Sequence, residues 1–430
     1  MDNIRIKRLL FEDLKAHIND KEISIIVGPR QVGKTTLMKE LISHIQKTGG
    51  KTIFLNLDYE SDKIHLESQD SLINRLRLEF GANRGYVFID EIQRKKNAGL
   101  FLKGIYDLDL PYKLIVSGSG SLELKESIHE SLAGRKRMFE LRPVDFFEFV
   151  NFRTDYVYAD RLREFLAVEK SKVSGFLEEY INYGGYPKVI LAATAAEKAQ
   201  VIEEIFSSVI ERDIAGLLNI NRPDAFSLMI KILASQTGRL VKYSELAKQV
   251  GISSSVVKKY LWFAEKTFIV YILSPFFSNK QKEILKSPVP YFCDIGMRNF
   301  AVGQFGSVSM DAGFVFQNLI AGMLQSRIEP IQTLHFWRTT NGAEVDFVIS
   351  GPNGNIPVEV KYSDMTSVEV TRSFRSYIEE YHPKTAYIVN KSFSGSLDIR
   401  GTRVIAIPFY LCIDVVFFPD VRHPGNRFGV

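Results

Sequence analysis

The octapeptide Gly28-Pro29-Arg30-Gln31-Val32-Gly33-Lys34-Thr35 constrains this chain more than any other stretch. The apolar run Ile23-Ser24-Ile25-Ile26-Val27 precedes it, and the helix formers Thr36-Leu37-Met38-Lys39-Glu40-Leu41 follow. Two glycines at the G-x-x-x-x-G-K-T spacing let the backbone fold around phosphates and turn its N–H groups toward them. Lys34 then reaches the β- and γ-phosphates, the Thr35 hydroxyl ligates Mg²⁺, and the helix opening at Gly33 adds its positive dipole end. A glycine-rich turn that matched by accident would not have a strand directly before it and a helix directly after. Residues 28–36 are read as a nucleotide-phosphate site.

Further apolar runs at 52–58, 86–91 and 112–117 read as buried strands, with helical patterns near 70–80 and 98–107. Short continuous strands alternating with helices predict a parallel sheet covered on both faces, with its ligand at the carboxyl ends of the strands. Residues 5–17 read as an amphipathic helix ahead of that sheet. Asp90 ends the third run and Glu91 follows. Acids there can hold a Mg²⁺ water shell and polarise an attacking water, although two adjacent carboxylates also suit a solvated turn. Ser117 opens Ser-Gly-Ser-Gly-Ser, where a hydroxyl can sense a γ-phosphate or simply belong to a turn. Arg135, in Leu132-Ala133-Gly134-Arg135-Lys136-Arg137, reads equally as a γ-phosphate contact, in cis or from another subunit, and as part of a surface basic run.

Taken in order, several segments resemble the AAA+-type stand-alone ATPases of bacteria and archaea. They are the P-loop, Phe88-Ile89-Asp90-Glu91-Ile92-Gln93, Ser117-Gly118-Ser119, and Leu132-Ala133-Gly134-Arg135 followed by Leu141-Arg142-Pro143. Tyr183-Gly184-Gly185-Tyr186-Pro187 and Glu211-Arg212-Asp213-Ile214 extend the likeness over nearly the whole chain. Those proteins join an ATPase to a C-terminal domain of poorly defined function. The resemblance implies ATP and Mg²⁺ as ligands, Ser117 as sensor, Arg135 as arginine finger and Arg212 as a second sensor.

Downstream, residues 144–235 turn helical, with a sharp break at Gly184-Gly185-Tyr186-Pro187, the place for a helical lid or linker. Residues 242–261 pattern as two short helices separated by Gly251, with Ser244 and Ser253 as caps. The run 268–273 can begin a wing, with Lys280 and Lys282 near its tip, so 236–285 is read as a winged helix. Lys258 and Lys259 on the second helix face outward, which allows DNA contact without requiring it. In the last segment, alternation puts the polar residues of Glu344-Val345-Asp346 and of Glu359-Val360-Lys361 on one face of each of two neighbouring strands. Asp346 and Glu359 can hold a divalent cation, and Lys361 can position a water or stabilise a phosphate. These positions resemble the PD-(D/E)xK nuclease-like core. A further acid is usual in the preceding helix, where this chain has Gln317 in Phe316-Gln317-Asn318-Leu319. Its missing charge weakens metal binding and puts cleavage in doubt.

The expected architecture is therefore α/β: a P-loop ATPase core with a parallel sheet (1–143), a helical lid (144–235), a winged helix (236–285) and a nuclease-like α/β domain (286–430). The 430 residues suit two or three domains, and 45% hydrophobic with 24% charged residues suits filled cores. No apolar run approaches the roughly 18–20 residues that span a bilayer. Cys293 and Cys412 lack metal spacing and read as core thiols in a reducing cytoplasm. A net charge of +5 permits DNA without demanding it. The leading reading is an ATPase that drives its C-terminal half on DNA. A metal-dependent nuclease regulated by ATP, and a nucleotide-switched scaffold for a protein partner, stand beside it. A finger acting in trans would require a homo-oligomer.

Overall fold

The computed structural model describes residues 5–119, 131–210, 222–276, 287–308 and 311–415. Arg212, Lys280 and Lys282 lie outside these described residues.

The β-branched and aromatic runs of the first third form β1 (Ile23–Gly28), β2 (Thr52–Asn56), β3 (Gly85–Asp90), β4 (Tyr112–Ser119) and β5 (Lys136–Glu140). They join in one sheet in the order β2-β3-β4-β1-β5, every neighbouring pair parallel. Because β4 is inserted between β1 and β3, the P-loop after β1 faces the acid at the end of β3 across the tip of β4. Side-chain alternation divides the strands between two cores. Ile26, Phe88, Ile115 and Phe139 pack with the helix Lys34–Lys47, and Ile25, Val27, Val87, Ile89, Leu114 and Val116 with the helices Gln69–Phe80 and Ala98–Asp107. Each such fully buried side chain contributes on the order of 1.5–3 kcal/mol. The expected helix at 5–17 is shorter, Leu10–Ala16; ahead of it, the Arg8 side chain and the Leu9 N–H are bonded to Glu148.

A helical stretch follows, from Phe146–Arg153 to Ala195–Ser208. Asp145 and Glu148 form a capping box at its first helix. The Gly184-Gly185 break interlocks three segments. Gly184 has φ 75° at the end of the helix Lys170–Tyr183, and Gly185 donates its N–H to Asp294 at 2.7 Å and accepts from the Val144 N–H at 2.8 Å. A Cβ on Gly185 would stand 2.1 Å from the Val144 carbonyl oxygen, so the approach itself requires glycine. Asp294 is pushed up to about 6 by burial, against three backbone N–H bonds that pull it down.

Three helices, Pro223–Ser235, Tyr243–Val250 and Ser254–Lys266, precede the antiparallel pair β6 (Val270–Leu273) and β7 (Val289–Phe292). Gly251 takes φ 73° between the second and third, and Ser253 caps the third. β7 lies beyond the expected boundary at residue 285, since the hairpin needs both strands to bury Val270 and Phe292. The final sheet runs β12-β13-β11-β10-β9-β8, where β8 is Thr333–Arg338, β9 Glu344–Gly351, β10 Gly354–Lys361, β11 Thr385–Asn390, β12 Gly395–Ile399 and β13 Thr402–Pro408. The helix Ala312–Gln325 covers one face and Arg372–Tyr381 the other. The second begins at 372 rather than 366, because Thr371 caps it there. The hairpin β12–β13 was not anticipated; its alternation is interrupted by the polar Arg400 and Gly401 of the turn. Cys293 and Cys412 are both free thiols.

Candidate functional site

Three strand tips converge at the end of the first sheet. Gly28 closes β1 with φ 156°, and a Cβ there would stand 2.1 Å from the Leu141 carbonyl oxygen, at the end of β5. Gly33 has φ 98° and opens the helix Lys34–Lys47; a Cβ on it would meet nothing within 4 Å, so only the backbone conformation demands glycine. Between them Val32 is buried, Gln31 takes φ 61°, and the Gln31 Oε1 is buried without a hydrogen-bond partner. Pro29 is buried, Arg30 half-buried, and Thr36 is exposed on the first helical turn. A loop of this spacing between a strand and a helix can turn its N–H groups toward an anion.

The Lys34 ammonium is buried and donates to the carbonyls of Gly28 at 3.0 Å and Pro29 at 2.7 Å, so it lies across the loop. Thr35 Oγ1 donates to Asp90 Oδ2 at 2.6 Å. Ser117 Oγ, from β4, donates to the other oxygen, Oδ1, which also accepts from the Glu91 N–H at 3.2 Å. Asp90 is 1% exposed, and these three donors compensate its burial. A buried carboxylate beside a threonine hydroxyl is a hard-oxygen pair of the kind Mg²⁺ takes. The sequence places Lys34 and Thr35 in the loop and Asp90 and Ser117 at strand ends; that Thr35 and Ser117 share one carboxylate is visible only in three dimensions.

Glu91 sits in the left-handed region at φ 58°, which turns its side chain out of the strand direction and toward the loop. Burial raises its carboxyl above the ordinary range, the nearby Asp90 adds to this, and Lys34 and a hydrogen bond from Gln93 Nε2 oppose it. A carboxylate whose proton affinity is raised accepts a proton more readily than an ordinary one. Gln93, two residues after Glu91, is a site residue that the sequence motifs do not mark.

Arg135 lies elsewhere. It immediately precedes β5, its carbonyl accepts from the N–H of Ile23 at the amino end of β1, and its Nε donates to Asp107 at 2.7 Å. The P-loop is at the carboxyl end of the same β1, on the order of 17 Å away for a six-residue strand. Arg135 therefore does not reach the cradle of its own chain. The arginine at the correct end of β5 is Arg142, bonded to Glu140 at 2.7 Å. With Pro29, Tyr271, Cys293, Met323 and Arg327 it lines a cavity of about 320 Å³ where the first sheet, the β6–β7 hairpin and the helix Ala312–Gln325 meet. Burial pushes the Cys293 thiol up to about 12, so it is a neutral wall of that cavity.

The residues of the C-terminal constellation are near one another but separately engaged. A register shift between β8 and β9 beside Phe336 lets Asp346 turn toward the helix Ala312–Gln325, where it accepts from Gln317 Nε2 at 2.7 Å and from the Val360 N–H at 2.7 Å. Glu359 faces the other helix: Thr371 Oγ1 donates to it at 3.0 Å, and the Lys361 ammonium is 2.5 Å from its other oxygen. In this arrangement Asp346 and Glu359 accept hydrogen bonds from different elements, while the charges of Glu359 and Lys361 still act on Asp346. Desolvation pushes Asp346 up to about 7.

Residues 20–150 match the family of AAA domains. Two further matches, at 175–307 and 312–410, are to domains of unknown function. An uncharacterized protein of Methanocaldococcus jannaschii is 26% identical over 387 residues, covering 88% of this chain and 83% of the relative. An uncharacterized protein of Mycobacterium tuberculosis is 24% identical over 369 residues, covering 84% of this chain and 75% of its own. Among solved structures, Thermotoga maritima RuvB aligns over 65% of this chain and 93% of its own at 16% identity, TM-score 0.31. AMPPCP-bound DnaA from Aquifex aeolicus aligns over 60% and 88% at 15% identity, TM-score 0.26. On the family match alone, residues 20–150 carry an AAA-type domain. No helix among the described residues is long and apolar enough to cross a membrane.

Proposed function

We propose that this protein hydrolyses ATP at the P-loop and uses the nucleotide state to reposition its C-terminal half on DNA. The observation that carries this reading is the sharing of Asp90 by Thr35 and Ser117, with Lys34 and Glu91 on either side. The N–H groups of Gly28–Thr36 bind the phosphates. Lys34 leaves the carbonyls of Gly28 and Pro29 for the phosphate oxygens, a stronger, charge-assisted partner. Bound Mg²⁺ would be held by Thr35 and Asp90 and would neutralise charge on the phosphates. Glu91 takes the proton of the attacking water, and Ser117 fixes the Asp90 carboxylate. Arg135 serves as a finger only toward a neighbouring copy of the chain, so full turnover calls for a homo-oligomer.

The three helices with the hairpin β6–β7 have the order of a winged helix. On the helix Ser254–Lys266, Ser255, Lys258, Lys259 and Trp262 are exposed at helical spacing, forming the face offered to DNA phosphates. The last sheet keeps a PD-(D/E)xK-like layout, but Gln317 occupies Asp346 and Lys361 neutralises Glu359. We read it as a nuclease-like scaffold without cleavage. A cation would have to displace those partners, and also a proton from Asp346 below about pH 7.

The test is ATP turnover by the full chain with and without duplex DNA. Stimulation by DNA in the wild type, lost in Lys258→Glu/Lys259→Glu and with all turnover lost in Lys34→Ala, is expected. Unchanged turnover in Lys34→Ala would remove the ATPase assignment. For the scaffold, DNA incubated with Mg²⁺ or Mn²⁺ is expected to stay intact with the wild type and with Asp346→Ala; cutting by the wild type alone would restore the nuclease reading. The wild-type fold should also lose stability relative to Asp346→Asn as pH rises from about 4 to about 7, because the folded state holds a proton there that the unfolded chain releases. Urea titrations at three pH values check this.

A further inference from the structure

We infer that Arg8 is a positioning residue for the nucleotide site, holding one P-loop peptide in the orientation that phosphate binding requires. The inference rests on the ATP reading above. Arg8 precedes the first helix, and its guanidinium bonds residues 24, 134 and 140 positions away. Its Nη1 donates to the carbonyl of Val32 at 2.9 Å, inside the P-loop, and its Nη2 to the carbonyl of Arg142 at 2.5 Å, just beyond β5. Its Nε donates to Glu148 Oε2 at 3.0 Å, and the other oxygen of Glu148 accepts from the Leu9 N–H at 2.6 Å. The side chains of Arg8 and Glu148 are only 8% and 6% exposed. All three prongs of one guanidinium are thus used, two of them on backbone carbonyls at the mouth of the loop.

The consequence for Gly33 follows from peptide geometry. In a trans peptide the carbonyl of residue 32 and the N–H of residue 33 point in opposite directions. Fixing the Val32 carbonyl toward Arg8 therefore aims the Gly33 N–H the other way, into the open centre of the cradle. Gly33 has φ 98° and no neighbour within 4 Å of a Cβ position, so packing around its α-carbon does not itself fix the conformation. Glycine makes the rotation inexpensive in either direction, and a tether at the adjacent carbonyl is what selects one. Glu148 in turn is fixed by the Asp145 N–H at 3.1 Å, so the tether is anchored at the start of the helix Phe146–Arg153. The same guanidinium therefore links the phosphate cradle to the first helix of the second segment.

Lysine preserves the charge at position 8 but offers no planar fork for two carbonyls and a carboxylate. Binding of a non-hydrolysable ATP analogue with Mg²⁺ is measured on the full chain by calorimetry, with melting of the ligand-free protein alongside. Arg8→Lys is expected to weaken binding about tenfold, the scale of one lost hydrogen bond to a charged group. Turnover at saturating ATP should stay within about twofold, since a properly seated phosphate chain meets the same chemistry. A merely structural role would lower the melting temperature without splitting affinity from turnover.

A pH series supplies the second readout. Glu148 faces Arg8 from the N-terminal segment, Asp145 on its own turn, and Tyr156 and Tyr180 from the neighbouring helical stretch. Desolvation pushes it up to about 6. Wild-type affinity relative to Glu148→Gln should fall as pH drops through about 6, where the carboxylate anchoring Arg8 is protonated. Wild type that binds the analogue, with Arg8→Lys binding equally well or with a flat pH ratio, overturns the tether while leaving the ATPase reading standing. Wild type that does not bind the analogue sinks both.

Discussion

Glu91→Gln is expected to bind ATP with near wild-type affinity and to hydrolyse it at least about 100-fold more slowly, the scale of a lost general base. The substitution keeps the size and the hydrogen-bonding end of the side chain, so its contact with Gln93 and the φ of 58° at residue 91 have no reason to change. What disappears is a carboxylate whose proton affinity is raised mainly by burial and then by Asp90. The wild type must have this group ionised to accept a proton. Its turnover should therefore rise with pH through the raised value and level off above it, and the residual rate of Glu91→Gln should lack that limb. Steady-state rates across pH, with analogue affinity measured at each point, separate the two. A variant that loses affinity as fast as rate would show Glu91 to be a binding residue instead.

Gly28→Ala should be the most damaging single methyl in the first domain. The added Cβ would stand 2.1 Å from the Leu141 oxygen and 3.1 Å from its carbonyl carbon, both backbone atoms that have no rotamer to retreat into. Relief requires β5 to move off β1, which breaks the 2.8 Å bond from the Leu141 N–H to the Val27 carbonyl. It would also shift Arg142, whose carbonyl holds Arg8. A cost of roughly 3 kcal/mol or more is expected, in the range of severe overpacking, together with loss of nucleotide binding. Gly33→Ala provides the contrast. Its Cβ meets open space, and only the φ of 98° resists, at roughly 1–2 kcal/mol. Thermal melts of the two variants should differ clearly while both bind nucleotide poorly. Equal melting temperatures would show that the β1–β5 contact is soft.

Much of the first domain was legible because its signals are local. A P-loop needs particular glycines at particular spacings, and Asp90, Glu91 and Ser117 each close an apolar run that can hardly be anything but a buried strand. The helices at 69–80 and 98–107 follow from 3.6-residue periodicity and stop at Gly81 and near Leu108. The C-terminal acids were found by the same alternation, but their engagement was not. Whether Asp346 faces Glu359 or Gln317 depends on one register shift in the pairing with β8, a non-local event that leaves no mark in the residues themselves.

Arg135 and Arg8 show where the boundary runs. Arg135 reads from the residues equally as a phosphate contact, in cis or in trans, and as a surface basic run, and only the family resemblance makes it a finger; strand direction puts it at the far end of its own sheet, because a parallel strand places its first residue and its last on opposite edges. Arg8 stands in no motif and falls within the stretch 5–17 read as an amphipathic helix, yet it binds the P-loop backbone. The sequence by itself determined that phosphate is bound and which residue types surround it, since those depend on backbone conformation and strand periodicity within a few residues. The tertiary structure alone decided which arginine reaches the loop and what each carboxylate is bonded to, since those depend on how segments 24 to 140 residues apart are brought into hydrogen-bonding distance.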